Sequence, residues 1–200
     1  MASRAKIRSN LKVGVSGEKI MRIRRRSRPG YTIDGFVLAV GRQWVLLSQT
    51  TAGGYLDGYA AIRISDVKSV RPDRSFQSEF AKSAPEWPPA LPPVSTQPDL
   101  DGTKRMLRSL LVTGHLVGIE RDRRLDGMWI GVPGGLTKKF LYLWEATPQA
   151  TWDKGALGYK LKTITTVIFG DHYQTALAAM AGEPPAEAAR DWLHDVEKIR

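Results

Sequence analysis

Gly58–Ala84 reads GYAAIRISDVKSVRPDRSFQSEFAKSA, and Gly155–Ala181 reads GALGYKLKTITTVIFGDHYQTALAAMA. The two stretches align without a gap at an offset of 97 residues, and five positions are identical. Further pairs are chemically alike, such as Phe76 with Tyr173, and they follow the apolar pattern that a shared fold requires. The pattern predicts two copies of one unit rather than a solenoid, which needs three or more repeats.

The likeness continues upstream at a different offset. Residues 33–41, IDGFVLAVG, resemble residues 112–120, VTGHLVGIE, at an offset of 79. The smaller offset predicts an insertion in the second copy, to which the Trp-rich segment 140–152 would contribute.

Each copy contains short apolar runs separated by turn residues. Thr32–Val40 and Trp44–Ser48 predict two strands split by a short turn, and Arg74–Ser83 has helical spacing. His172–Ala181 is the matching helix of the second copy, with Asp171 as its N-cap. Short strands with a small closing helix predict a mainly β fold made of two small barrels.

The predicted organisation has five parts. Six of the twelve prolines lie in residues 85–98, which marks an extended linker. The parts are a basic N-terminal arm (1–29), a first barrel with its closing helix (30–84), a Pro-rich linker (85–102), a second barrel with the insertion (103–182) and a C-terminal amphipathic helix (183–200).

The first copy resembles the Sm-like proteins, the Sm/Lsm/Hfq group. Residues 35–47, GFVLAVGRQWVLL, resemble the family's first signature, and residues 62–72, IRISDVKSVRP, resemble the end of its second. The resemblance implies two tandem Sm-like or SH3-like barrels, a class that often assembles into rings that bind RNA. It also implies base contacts from Gln43 and Trp44, although the Asp usual in that turn is missing. Where the bacterial branch has a Lys-His pair, this chain has Ile64 and Ser65, so no uridine pocket is implied.

Positive charge is concentrated at the N-terminus. The net charge is +10, and residues 1–30 contain ten Lys or Arg residues and one acid. Alternation in an extended segment would align Arg22, Arg24, Arg26 and Arg28 on one face, where guanidinium groups suit phosphates. The predicted nucleic-acid-binding residues are Arg22, Arg24, Arg25, Arg26, Arg28, Gln43 and Trp44.

Several classes of function are excluded or disfavoured by composition. The chain has no cysteine, which excludes disulfide scaffolds and thiolate metal sites and fits the reducing cytoplasm as the predicted location. No apolar run is long enough for a membrane span, and the basic N-terminus lacks the apolar core of a secretory signal. The three histidines show no metal spacing or catalytic motif, so we predict no cofactor, no metal and no enzymatic activity.

Two functions remain open. The first is a non-catalytic protein that binds RNA or single-stranded nucleic acid through the arm and the barrels. The second is a protein–protein interaction or assembly module, in which the arm docks on an acidic protein partner. The proline-rich linker and the acidic C-terminal helix would then carry further contacts. If the arm has no binding role, its arginines give solubility to an exposed arm or edge strand and block edge pairing. The oligomeric state is left open by the sequence.

Overall fold

The computed structural model describes residues 3–94, 97–122 and 127–188, and it is mainly β. All ten strands of the described chain form one antiparallel sheet. The helices are α1 (Arg4–Ser16), α2 (Gln77–Ser83), α3 (Thr103–Leu110) and α4 (His172–Ala181). The strands are β1 (Met21–Arg25), β2 (Thr32–Val40), β3 (Trp44–Thr50), β4 (Leu56–Arg63), β5 (Val67–Pro72), β6 (Val117–Arg121), β7 (Trp129–Leu136), β8 (Phe140–Glu145), β9 (Leu157–Lys160) and β10 (Ile164–Phe169).

The order of the strands divides the sheet into two halves. It runs β5-β1-β2-β3-β4-β10-β6-β7-β8-β9, so β4 pairs with β10 where the halves meet. Within the described residues the hydrogen-bonded order stays open, with β5 and β9 as the two edges, and does not close into a barrel. Two 3-10 turns, Ile64–Asp66 and Leu161–Thr163, lead into the strands β5 and β10.

Each half has its own hydrophobic core beneath a helix. In the first, Ile7 and Leu11 of α1 pack against inward side chains of β1 to β5. At Gly14 of α1 a Cβ would lie 3.0 Å from Val37, so the helix approaches the sheet closely. The core beneath α3 contains Met106 and Leu107, and it extends into the first half of the sheet. The first core takes the side chains of Met21 and Ile23 from β1 and leaves Arg22 and Arg24 of that strand exposed.

The N-terminal segment differs from the expected arm. Residues 4–16 form α1, and β1 is hydrogen-bonded to β2 on one side and β5 on the other. Met21 and Ile23 alternate with exposed arginines, and their burial gives this basic segment a place inside the sheet.

The first strand of the second half begins later than the offset of 79 predicts. The α3 helix occupies residues 103–110, and β6 begins only at Val117. The offset of 79 therefore compares β2 with a loop and β6. Residues 140–145 of the segment expected as an insertion form β8, which lies between β7 and β9 as β3 lies between β2 and β4. In contrast, β2 and α4 have the predicted bounds, and the Asp171 side chain accepts a hydrogen bond from the Gln174 N–H.

The proline-rich segment is attached to the first half. Trp87 packs edge-on against Phe36 with ring centroids 5.0 Å apart, and Leu100 is buried against Gly41. Of the predicted C-terminal helix, residues 189–200 lie outside the described residues. None of the described helices is long and apolar enough to cross a membrane.

Candidate nucleic-acid interface

A cationic groove lies on the outer face of β1 and β5. It has a volume of about 630 Å³. Its lining residues, which define the cationic groove below, are Arg22, Arg24, Ser69, Arg71, Pro72, Asp73, Arg74 and Ser75. Strand alternation places Arg22 and Arg24 of β1 here, because residues 21 and 23 point into the core.

Three arginines of the cationic groove have no carboxylate partner among the described residues. These are Arg24, Arg71 and Arg74, and all three are exposed. The exposed Lys68 of β5 lies nearby on the same strand, also without such a partner in the described chain. This part of the surface therefore presents uncompensated positive charge to the solvent.

The fourth arginine of the groove is held in place by acids. Arg22 donates to Asp34 through Nε (2.9 Å) and Nη2 (2.7 Å), and Nη2 lies 3.6 Å from Asp73. The hydrogen bond and the negative charge of Asp34 raise the pKa of Arg22. Arg22 also faces Arg71 across the β1–β5 pair. The two carboxylates offset part of the repulsion between these arginines, and Arg22 remains partly exposed.

Arg25 lies inside the molecule. Its side chain is 3% exposed, Nη1 donates to Glu120 of β6, and the same nitrogen contacts Thr166 Oγ1 at 2.8 Å. Burial lowers the pKa of Arg25 to about 10, against the opposing effect of Asp66. Arg25 therefore connects the two halves and does not face the solvent.

Arg28 is also buried. Its Nη2 donates to the Gly127 carbonyl oxygen at 2.5 Å, and its Nε lies 3.7 Å from Glu120. Arg26 is exposed, and its backbone N–H donates to the Asp66 carbonyl at the end of β1. Of the row predicted from alternation, only Arg22 and Arg24 therefore line the cationic groove, because β1 ends at Arg25.

The two residues implied by the Sm-like resemblance, Gln43 and Trp44, lie in different surroundings. Gln43 is exposed and lines a second groove of about 440 Å³ together with Arg4, Arg8 and Arg42. Trp44 is fully buried, and its Nε1 donates to Thr103 Oγ1 at 3.3 Å.

The guanidinium of Arg63 covers the Trp44 ring at 4.7 Å. Trp44 therefore has no free ring face on which a base could stack in this structure. The second groove also has a cation that is paired with an acid, since Arg42 lies 3.0 Å from Asp101.

Strand β5 contributes arginines to the groove that the sequence pattern does not predict. Arg71 and Arg74 lie about fifty residues beyond β1 in sequence, and only the β1–β5 pairing brings them together. A local signal was present, since Lys68, Arg71 and Arg74 follow one another at intervals of three residues in the stretch that carries the repeat.

The described residues contain no cluster of three His, Cys, Asp or Glu side chains that could hold a metal ion. The histidine contact nearest to a catalytic pair is His172 Nδ1 with Asp57 Oδ1 at 2.7 Å, and it fastens α4 to β4 at an exposed position. No protein-family model matches the chain, and no curated protein or solved structure matches it either.

Proposed function

We propose that the protein is a non-catalytic binder of RNA or single-stranded nucleic acid, and that the cationic groove is its phosphate-binding surface. The observation that carries the proposal is the set of three exposed arginines, Arg24, Arg71 and Arg74, without carboxylate partners in the described chain. Guanidinium groups bind phosphate oxygens through paired N–H donors, and binding releases counterions from the nucleic acid.

The arrangement of the arginines favours an anion as the ligand. Arg22 and Arg71 are opposite one another on paired strands, where like charges destabilise a sheet. A phosphate between them would remove that repulsion, and Arg24 and Arg74 extend the positive surface along the groove. Several phosphates in a row match this surface better than a single small anion.

The chemistry of the groove favours backbone contacts over base recognition. Among its lining residues are arginines, serines, one proline and one acid, and none is aromatic. Because Trp44 is buried, stacking on it does not contribute. We therefore expect binding that depends steeply on salt and weakly on base sequence.

We further propose that the chain consists of two Sm-like units. Three features support it: the same strand order in both halves, a helix ahead of the first strand of each half (α1 and α3), and a 3-10 turn before the last strand. The turns and the last strands are separated by the offset of 97 found in the sequence, since Ile64–Asp66 corresponds to Leu161–Thr163.

Fluorescence anisotropy of a labelled single-stranded RNA tests the proposal. The protein is the full chain after nuclease treatment, because removing residues 1–29 would delete β1 from the sheet. The test variant is R24Q/R71Q/R74Q, and the control is K138Q/K139Q/K162Q, which removes the same charge from exposed positions of the second half.

We expect the test variant to bind at least about tenfold more weakly than wild type at 50 mM salt, and the control to bind within about threefold of it. Equal losses in both variants would contradict the groove as the site. Absence of binding by wild type at low salt would contradict the function and favour the alternative, a protein–protein module.

A further inference from the structure

The contact between the two halves consists of a strand pair reinforced by side chains. Strands β4 and β10 pair with Tyr59 opposite Phe169, and the two rings stack with centroids 5.3 Å apart. Arg25 of the first half pairs with Glu120 of the second. We call this contact the inner joint. It shows which residues allow one half to join another.

The registers of the sheet identify the counterparts of these residues at the two outer edges. Met21 lies opposite Pro72 in the β1–β5 pair, and Val117 lies opposite Phe169 in the β6–β10 pair. In both strand pairs four consecutive residues of each strand pair in register, and the partner strand, β5 or β10, then skips one residue at the same position. The match makes Arg24 the counterpart of Glu120.

The same comparison assigns the remaining counterparts. Arg25 corresponds to Arg121, because each is the first residue to pair after its partner strand, β5 or β10, has skipped one residue. Phe169 corresponds to Pro72, and the gapless alignment makes Ala156, one residue before β9, the counterpart of Tyr59.

A second copy that repeated the inner joint would have to pair its β5 with β9 of the first. At that contact Arg121 of one copy would meet Arg24 of the next, so repulsion replaces the buried ion pair. The stacked rings would be replaced by Ala156 and Pro72, which removes the aromatic contact.

The backbone of β5 adds a second obstacle. Asp73 donates its N–H to the Ile20 carbonyl at 2.7 Å, so the neighbouring backbone nitrogen, that of Pro72, faces away from β1. Proline has no N–H, so this position cannot donate a hydrogen bond to a strand that pairs with the free edge of β5. Exposed Lys68 and Arg71 charge the same edge, as in natural sheets that avoid edge pairing.

We infer that the outer edges β5 and β9 are built to reject a second copy of this chain, so that head-to-tail assembly stops at the one joint inside the molecule. A head-to-tail contact that could repeat would generate rings or filaments. The β5 edge, which also borders the cationic groove, stays open to the solvent instead.

Sedimentation velocity of the nuclease-treated full chain tests the inference. The wild type is measured over roughly a hundredfold range of concentration, since association depends on mass action. The variant R24E/P72F/A156Y transfers the residues of the inner joint to the outer edges. The control R74E/P72F/A156Y has the same composition, but its new acid lies outside the position equivalent to Glu120. Far-UV circular dichroism and thermal unfolding establish that both variants are folded.

We expect wild type and control to sediment as one chain of 22.2 kDa at every concentration, and R24E/P72F/A156Y to shift to two chains and above. Self-association of the wild type that the substitution L157R in β9 weakens would overturn the inference, and this measurement needs no folded triple variant. A triple variant that is folded and stays at the mass of one chain would also overturn it. Association of the control to the same extent would show that position 24 does not block assembly.

Discussion

The ion pair between Arg25 and Glu120 gives the sharpest prediction about stability. The change is Glu120→Gln, which keeps the shape of the side chain and removes its charge. Glu120 is 8% exposed and Arg25 is 3% exposed, so the guanidinium would stay buried without a counter-charge at its contact. Its remaining partner through Nη1 is Thr166 Oγ1, and its Nε has no hydrogen-bond partner in the described chain.

Removing one partner of a buried pair costs about 3–5 kcal/mol, whereas exposed pairs contribute about 0–1 kcal/mol. We therefore expect E120Q to lower the free energy of unfolding by about 3–5 kcal/mol. Replacing both partners with apolar residues, in R25M/E120L, should cost less than E120Q, because the buried charge of Arg25 is removed together with that of Glu120, although Arg28 still loses its 3.7 Å contact with Glu120.

Equilibrium unfolding in urea, followed by tryptophan fluorescence and circular dichroism, measures these values. Asp34→Asn is the matched control, since it breaks the Arg22–Asp34 pair, in which the arginine side chain is 44% exposed. We expect D34N to cost no more than about 1 kcal/mol. A cost for E120Q as small as that of D34N would refute the reasoning, because it would mean that solvent screens the Arg25 site.

Two other predictions concern the backbone and the pH dependence of stability. Gly58 has φ of +68°, and a Cβ there would lie 2.6 Å from the backbone of residues 170 and 171, so Gly58→Ala should cost roughly 2–4 kcal/mol in a thermal or urea melt. Its counterpart Gly155 has open space around it, so Gly155→Ala should change the stability little; equal losses would argue against the steric cause. Burial opposes ionisation of Asp73, but hydrogen bonds from Ser75 and the charge of Arg22 outweigh it and lower the pKa of Asp73. A carboxyl group with a lowered pKa stabilises the folded state at pH values above its unfolded pKa of 3.8, and this stabilisation is lost as the pH falls through the folded pKa. Asp73→Asn should therefore lower the free energy of unfolding at pH 7 and flatten the acid limb of a plot of stability against pH. An unchanged acid limb would exclude Asp73 as its source.

Local patterns predicted the elements whose signal lies within a few residues. Strand β2 and helix α4 have the predicted bounds because an unbroken apolar run and an N-cap aspartate define them locally. The offset of 97 likewise aligned the two stretches that contain the 3-10 turns and the strands after them. These features need no knowledge of distant partners.

The basic segment shows what local patterns cannot provide. Alternation identified Arg22 and Arg24 as outward-facing, and the same alternation places Arg25 on the inward side. An inward arginine is stable only beside an acid, and that acid, Glu120, is 95 residues away in sequence. The pairing of β1 with β5, which completes the cationic groove with Arg71 and Arg74, is also a long-range contact. The prediction of an arm includes neither contact, because both depend on the tertiary fold.

The dependence of RNA affinity on salt tests the central proposal most directly. A plot of log affinity against log salt concentration between 50 and 200 mM counts the phosphates that the protein neutralises. If Arg22, Arg24, Arg71 and Arg74 each contact one phosphate, we predict a slope of about −3 for wild type and about −1 for R24Q/R71Q/R74Q. A flat slope for wild type, or the same slope for both proteins, would contradict a phosphate-binding role for the cationic groove.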